Sequence, residues 1–466
     1  MKSKETDTLD NYKYGFSYPE KYVFKSEKGL SERVVKNISE IKKEPLWMRE
    51  YRLKAYASFV SQKMPSFGPN LTSLNFNDIF YYLKPLKKQA DNWKSLPKEI
   101  KETYERLGIP KAEQEYLSGV KAQYESEMIY GSLIADLKDK GVLFLGMDEG
   151  LEKYPDLVKE YFGKAVSFND NKFSALNSAV WSGGSFIYIP KNVKVKLPLQ
   201  AYFRINAKRM GQFERTLIIA DEGSFVSYLE GCTAPLYSED SLHCAVVEIF
   251  VKKNARVRYT TVQNWSKNVY NLVTKRALVY ENGVMEWVDG NIGSKVTMKY
   301  PSVFLMEKRA KGTILSIGVA NKGQEQDIGG KVLHLAENTS SQIVSKSISK
   351  NGGKASYRGL VKIAKNAHDC KSNVVCDGLI LDEFSVSNTY PFMDIKGENP
   401  QISHEAFVGR INEEQLFYLT SRGIPEKEAI SMLVNGFIEP IAKEFPMEYS
   451  MELNKLVSLE IENDKL

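Results

Sequence analysis

The sequence predicts a mainly β protein, a parallel β-helix core flanked by helical segments at both ends. From about Phe168 to Ile395, stretches such as SFIYIPKNVKVKLPLQAYFRIN alternate with period two, the signature of strands. A corner made of a charged residue, Asn or Glu, and a small residue recurs as PKNV, DEGS, KKNA, ENGV, ENTS and KNAH. Its reference positions Asn192, Glu222, Asn254, Asn282, Asn338 and Asn366 are separated by 30, 32, 28, 56 and 28 residues, the fourth interval being two turns of 28. Self-similarity at a fixed period in strands alone is the mark of a solenoid, and Asn and Gly suit its corners because they tolerate positive φ.

Taken in order, residues 1–160 read as a mainly helical domain. GLSERVVKNISEIKKEP and WMREYRLKAYASFV space apolar residues three and four apart, and KAEQEYLSGVKAQYESEMIYGSLIADLKDKG reads as a long amphipathic helix closed by Gly141. KMPSFGPNLTSLNFND between them is a loop. Residues 161–403 form the β-helix, and residues 404–466 form a C-terminal helical domain. In the latter, Asn412 caps a helix that opens on Glu413 and Glu414 and closes at Arg422-Gly423, Pro425 opens a second, and Pro446 precedes a third. Two or three such helices cannot bury their apolar faces alone, so they dock on the solenoid end or on another subunit.

The chain has 466 residues, 42% hydrophobic and 26% charged, and no run of 18 apolar residues that would cross a membrane. Its start, MKSKETDTLD, lacks the apolar core of a secretory signal, which places the protein in the cytoplasm or, if organelle-encoded, the plastid stroma. A net charge of +6 gives little reason to expect nucleic acid. From His404 onward, however, six Lys and Arg face twelve Asp and Glu, an acidic tail suited to a basic protein surface. The four cysteines include no CxxC pair, which disfavours a disulfide framework or a zinc ribbon and leaves thiol chemistry.

GxxxxGK[ST], HExxH, GxGxxG and GxSxG are all absent, so the common nucleotide, zincin, dinucleotide and hydrolase readings lack their anchors. Two thiols stand out. Cys232, in YLEGCTAP, follows Gly231 and precedes Pro235; one coil back by 28 residues lies Arg204, 31 forward lies Gln263, and His243 precedes Lys275 by 32. Cationic neighbours would favour the thiolate, the nucleophilic form, against the blander reading of Cys232 as a small buried hydrophobe. Cys376 precedes His404 by 28 residues, so Cys376, His404 and Glu405 are expected on adjacent coils about 5 Å apart. That set suits iron or zinc, while its bland counterpart is a satisfied structural histidine. Cys244 and Cys370 are read as structural.

Segments spread in order over most of the chain resemble the SufB proteins of the SUF iron–sulfur cluster assembly system. They are YFRINAKRMGQFERTLIIADEGSFVSYLEGCTAP, LHCAVVEIFVKKNARVRYTTVQNW, VTKRALV, KNGGKASYRGLVKI, VVCDGLI, SHEAFVGRINEEQLFYLTSRGI and EAISMLVNGFIEP. The resemblance implies a right-handed parallel β-helix core with N-terminal and C-terminal helical domains. It implies a non-enzymatic scaffold, complexed with the SufC ABC-type ATPase and with the paralogue SufD or a second copy. That scaffold takes sulfur from a cysteine desulfurase or other persulfide donor and iron, then passes a transient cluster to acceptor apo-proteins. ATP enters only through the ATPase. Reduced flavin is a further expectation of the resemblance, for which the chain shows no recognisable motif.

By position, Cys232 resembles the sulfur-accepting cysteine, and Arg204, Asn206, Gln263, Trp265 and Lys275 resemble residues of the sulfur path. Cys376, with His404 and Glu405, resembles the site of the nascent cluster near the subunit interface. Two other classes compete. A β-solenoid adaptor of the SufD kind would need no reactive thiol, and Cys232 argues against it. A β-helix polysaccharide lyase would want secretion and acidic Ca²⁺ clusters in its strands, and the sequence offers neither.

Overall fold

Corners held at positive φ set the repeat. The computed structural model describes residues 22–86, 117–206, 208–234 and 240–462, together with Glu102. Along one edge, positive φ recurs at Asn192, Gly223, Asn254, Asn282, Arg309, Asn338, Asp369 and Asn399. The amide N–H at each of the first seven donates to a carbonyl one coil on, as from Asn254 to Glu281 at 2.9 Å and from Asn338 to His368 at 2.9 Å. Arg309 fills the gap that the sequence left as a double interval. Asn366 is not itself at the left-handed position, which Asp369 takes.

Between corners the chain runs as parallel strands in two facing sheets. One contains Leu199–Arg204, Phe225–Thr233, Arg256–Trp265, Val284–Gly293, Lys311–Ala320, Ser340–Ser349, Lys371–Ile380 and Gln401–Arg410, each hydrogen-bonded to the next. The other runs from Ser185–Ile189 through Arg215–Ala220, Val246–Val251 and Val269–Val279 to Lys354–Ile363 and Val386–Ile395. The parallel β-helix expected from the sequence is therefore the architecture found. Its lumen is a closed core of residues such as Val257, Tyr259, Met285, Trp287, Ile314, Ile343 and Val374, each spaced two from the next inward position on its strand.

At the N-terminal side, Glu32–Ile41 and Leu46–Ser61 are helices, as their periodicity predicts. The run read as a long helix is different. Its first six residues lie outside the described ones, and the rest forms an antiparallel hairpin, Gly119–Tyr124 with Glu127–Leu133, before a short helix Ala135–Asp139. Gly119–Tyr124 pairs in parallel with Leu199–Arg204 and so begins the first sheet. Val120, Ala122 and Tyr124 already alternate with Lys121 and Gln123, and the offered sheet edge overrides helical propensity.

At the other end the solenoid runs past residue 403. Gln401–Arg410 is a strand paired along its length with Lys371–Ile380, so His404 and Glu405 belong to the last coil and not to the helical segment. The helices then follow as expected, Glu413–Ser421 capped by the Asn412 side chain, Glu426–Ala442 and Met447–Glu462. The last two lie along the side of the solenoid, not on its end. Val434, Ile438, Phe445, Leu453 and Val457 bury against Val288, Ile317, Ile348 and Leu379 on the outer face of the first sheet. Among the described residues no helix is long and apolar enough to cross a membrane.

Candidate functional site

Register decides which side chains meet in the lumen. Cys232 is the strand partner of Gln263 on one side and of Phe203 on the other. Arg204, expected beside Cys232, is one step off: it pairs with Thr233, and its Nη1 donates to Thr233 Oγ1 at 3.0 Å. The coil between them is one residue longer than the assumed period. Asn206 lies beyond the strand end, its amide donating to Glu125 Oε1 at 3.1 Å. His243 pairs with Asn271 and Lys275 with Val247, so the expected pairing of His243 with Lys275 is not formed.

Around Cys232 the lumen holds a dense set of buried charges. Lys275 Nζ donates to Thr261 Oγ1 at 2.6 Å and to Asp289 Oδ1 at 3.0 Å, and it sits 4.6 Å from the Tyr259 ring centroid. Lys299 Nζ donates to the same Asp289 Oδ1 at 3.1 Å and to Gln263 Oε1 at 3.2 Å. His243 presents one ring nitrogen to Asn271 Oδ1 and the other to Glu214 Oε2, both at 2.7 Å. Burial opposes charge on His243, yet the Glu214 carboxylate outweighs it and raises its pKa. Burial would raise Asp289, but Lys275 and Lys299 hold it below the usual carboxylate range. Burial draws Lys299 down to about 8, against the pull of Asp289.

Cys232 itself is 1% exposed. Its thiol is pushed well above the ordinary value, first by burial and then by the carboxylates of Glu230 and Glu214. Lys275 and Lys299 pull the other way and lose. The sequence expectation of a thiolate favoured by Arg204 and Lys275 is thus reversed. Burial in a low-dielectric lumen costs the anion more than the lysines return, because Asp289 already neutralises part of their field. On the neighbouring strand, where Gln263 is the partner of Cys232, Gln263 Nε2 and Trp265 Nε1 are buried donors with no hydrogen-bond partner among the described residues.

Cys376 lies on the last complete coil, 2% exposed. Its strand partner is Ala406, two residues beyond the expected His404. The two-residue slip keeps His404 on the same side of the sheet, and its Nε2 comes within 3.5 Å of Cys376 Sγ. Glu405 pairs with Val375, so its carboxylate leaves on the opposite side, and only its main-chain carbonyl approaches the thiol, at 3.6 Å. The three-residue convergence expected from the spacing is therefore reduced to two side chains. Among the described residues no cluster of three or more His, Cys, Asp or Glu forms a metal cage. Burial pushes the Cys376 thiol up to about 11, Asp377 adds to the shift, and a hydrogen bond with Thr389 works against it.

The two thiols stand on one inner wall. From Glu230, two residues before Cys232, successive partners are Thr261, Asp289, Ser316, Ser345 and Cys376. All six are buried, and Ser316 Oγ donates to Ser345 Oγ at 3.0 Å. Five rungs of about 4.8 Å span roughly 24 Å. This polar file escaped the sequence reading. Glu230 was visible as the inward residue preceding Cys232 by two. Lys299 was hidden because its coil is broken at Tyr300-Pro301 into Val296–Lys299 and Ser302–Leu305. Cys244 and Cys370 are fully buried, Cys244 Sγ lying 3.3 Å from the Phe173 carbonyl and Cys370 Sγ 3.2 Å from Thr339 Oγ1.

Comparison with known proteins adds a relationship over nearly the whole chain. Residues 203–437 match the family described as "SUF system FeS cluster assembly, SufBD core domain", and residues 30–201 match "SufBD protein N-terminal region". The "Iron-sulfur cluster assembly SufBD family protein" of Staphylococcus saprophyticus is 58% identical over 460 residues, covering 99% of each chain. Proteins of the same description from Staphylococcus haemolyticus and Staphylococcus aureus are 57% and 56% identical over the same length, again covering 99% of each chain.

Proposed function

Since the chain belongs to the SufBD family of iron–sulfur cluster assembly proteins, we propose that it acts there as the SufB-type scaffold, taking sulfur on Cys232 and holding a nascent cluster at Cys376. The polar file of Glu230, Thr261, Asp289, Ser316, Ser345 and Cys376 carries the reading. A buried row of hydroxyls and carboxylates forgoes the stability that aliphatic side chains would give there, and its place between two thiols is read as a route for a polar species. With about 24 Å between them, the thiols cannot exchange sulfur directly. Gln263, the strand partner of Cys232, and Trp265 two residues on each carry a buried donor with no hydrogen-bond partner among the described residues, and Lys275 supplies positive charge, which supports the reading of Cys232 as the site of an anionic sulfur.

At the far end, Cys376 and His404 offer a soft thiolate and an imidazole to iron, with further ligands from a subunit that covers the open coil. That subunit is the paralogue SufD or a second copy. The SufC-type ATPase is assigned to the helices after Asn412, where Leu416, Phe417 and Ile424 line one groove together with Glu413, Thr420 and Glu426, and Tyr418, Leu419 and Leu433 line a more apolar one. A SufD-like adaptor is the second reading. It is disfavoured by Cys232 lying among unpartnered donors and cations, an arrangement an adaptor does not need.

The two cysteines separate the steps. Cys232→Ser is expected to lose persulfide labelling from the sulfur donor yet take up a cluster when iron and sulfide are supplied chemically. Cys376→Ser is expected to keep the persulfide and fail reconstitution. The opposite pattern would reverse the roles, and normal behaviour of both variants would favour the adaptor.

A further inference from the structure

Glu230 and Cys232 are two apart on the strand Phe225–Thr233, so both side chains leave it on the lumen side. Cys232 Sγ lies 3.8 Å from Glu230 Oε1, and the other carboxylate oxygen, Oε2, accepts a hydrogen bond from the Tyr259 hydroxyl. The carboxylate is thus tethered at one oxygen and turned toward the thiol with the other. The other acids of this part of the lumen already have close partners, Glu214 the His243 ring at 2.7 Å and Asp289 the ammonium groups of Lys275 at 3.0 Å and Lys299 at 3.1 Å. Glu230 has no ion pair among the described residues.

A thiol attacks sulfur only as its thiolate, and a thiol sealed from water must give its proton to a group inside the protein. A base has to be within hydrogen-bond reach of the proton it takes. We propose that Glu230 is the catalytic base that takes the proton of Cys232 as sulfur arrives, with Tyr259 as the positioning residue that aims it. The proposal rests on the reading of Cys232 as a sulfur acceptor.

The step balances without an oxidant or reductant. The Sγ proton passes to Glu230 Oε1, and Sγ forms a bond to the terminal sulfur of a donor persulfide R–S–SH. The donor S–S bond breaks, and the departing R–S⁻ takes the proton from Glu230. The net change is R–S–SH plus Cys232–SH giving R–SH plus Cys232–S–SH. The groups that face the thiol are Tyr228 from its own strand, Tyr259 from the next coil, Lys275 and Lys299 from the facing sheet, and the Glu214–His243 pair. Burial and the two carboxylates keep the proton on sulfur at rest, so deprotonation is confined to the moment of attack, when Lys275 and Lys299 steady the developing anion.

The test uses the full chain with glutathione persulfide as the sulfur source, and follows one added sulfur on the Cys232 peptide by mass spectrometry from about pH 6.5 to about pH 9.5. Glu230→Gln keeps the size and the hydrogen bond from Tyr259. It is expected to slow uptake about 100-fold near neutrality, with the rate then climbing about tenfold per pH unit because the thiolate must now form by equilibrium ionisation before attack. Glu230→Asp is expected to recover part of the rate, and Tyr259→Phe to lose less than Glu230→Gln. Wild-type rate and pH profile in Glu230→Gln would overturn the proposal. So would a loss by the same factor at every pH that Glu230→Asp does not relieve, since that marks a structural role. Unchanged sulfur uptake by the whole chain in Cys232→Ser, carried on another of its cysteines, would overturn the sulfur-acceptor reading itself, a separate failure.

Discussion

His404 reaches Cys376 diagonally across the sheet: Nε2 is 3.5 Å from Sγ, although the partner of Cys376 is Ala406 and that of His404 is Val374. Diagonal neighbours on one face are close enough for long side chains to touch, whereas a residue one step along the strand faces away. His404→Ala is therefore expected to cut cluster uptake in anaerobic chemical reconstitution about tenfold or more, read from visible thiolate-to-iron absorption. Glu405→Ala, which keeps the main-chain carbonyl near Sγ, is expected to change it little. Equal losses in both variants would show that the carboxylate ligates after all.

Lys299 ties stability to pH. Its folded-state value of about 8 lies below the unfolded one near 10.4, so between these limits the unfolded chain binds more protons at this site. The contribution of Lys299 to stability therefore rises with pH across that window, by at most about 1.4 kcal/mol per unit, and is flat outside it. Denaturant midpoints of wild type relative to Lys299→Met are expected to climb between about pH 8 and about pH 10. A constant difference would mean that Asp289 keeps the ammonium fully charged.

Phe417 and Tyr418 are 75% and 57% exposed on the helix Glu413–Ser421. Deleting the whole C-terminal segment would bare the outer face that Val434, Ile438 and Leu453 cover, so point changes are the cleaner probe. Phe417→Ala with Tyr418→Ala is expected to abolish co-purification of the ATPase while shifting stability by no more than about 0.5 kcal/mol. Retained co-purification would place the ATPase elsewhere.

The last strands, Val386–Ile395 and Gln401–Arg410, each pair on one side only among the described residues, and they carry Phe392 and Phe407 at 63% and 60% exposure. An open, apolar β-edge templates pairing with another chain. Phe392→Asp with Phe407→Asp is expected to shift sedimentation from dimer, with SufD or with itself, to monomer. A wild type that is already monomeric at micromolar concentration, with SufD present and absent, would contradict this.

Asn254 sits at φ 56°, and its Oδ1 accepts from Asn282 Nδ2 at 2.9 Å. Asn254→Ala is expected to lower stability by about 1–2 kcal/mol, because a Cβ without a local hydrogen bond is disfavoured there, and Asn254→Gly by less. Equal losses by thermal unfolding would assign the effect to the side-chain ladder and not to the backbone.

Much of the architecture was legible because its corners are written in Asn and Gly. Where Arg309 takes the same conformation the signal disappears, although the interval arithmetic still left room for it. The hairpin Gly119–Tyr124 with Glu127–Leu133 was lost because its apolar residues also fit a helical spacing, and only the neighbouring strand Leu199–Arg204 decides between the two. At the site, a constant period of 28 found Cys376 and His404 but misjudged Glu405. Coil lengths actually vary, and an error of one residue turns a side chain to the other face. The pKa of Cys232 was not legible at all, since Glu214 and Lys299 come from coils whose register the sequence does not display.

Successive left-handed corners are 31, 31, 28, 27, 29, 31 and 30 residues apart, while the strands of the first sheet from Arg256–Trp265 onward keep ten residues each. The variation in coil length thus lies outside these strands. One residue removed from inside such a strand would invert the side chains after it up to the next bend and turn that rung of the polar file outward, whereas the same loss in a bend leaves the inner wall intact. Homologous chains should therefore differ in length almost entirely at the bends. A gene for this fold can drift in size only by editing its turns or by gaining and losing whole coils.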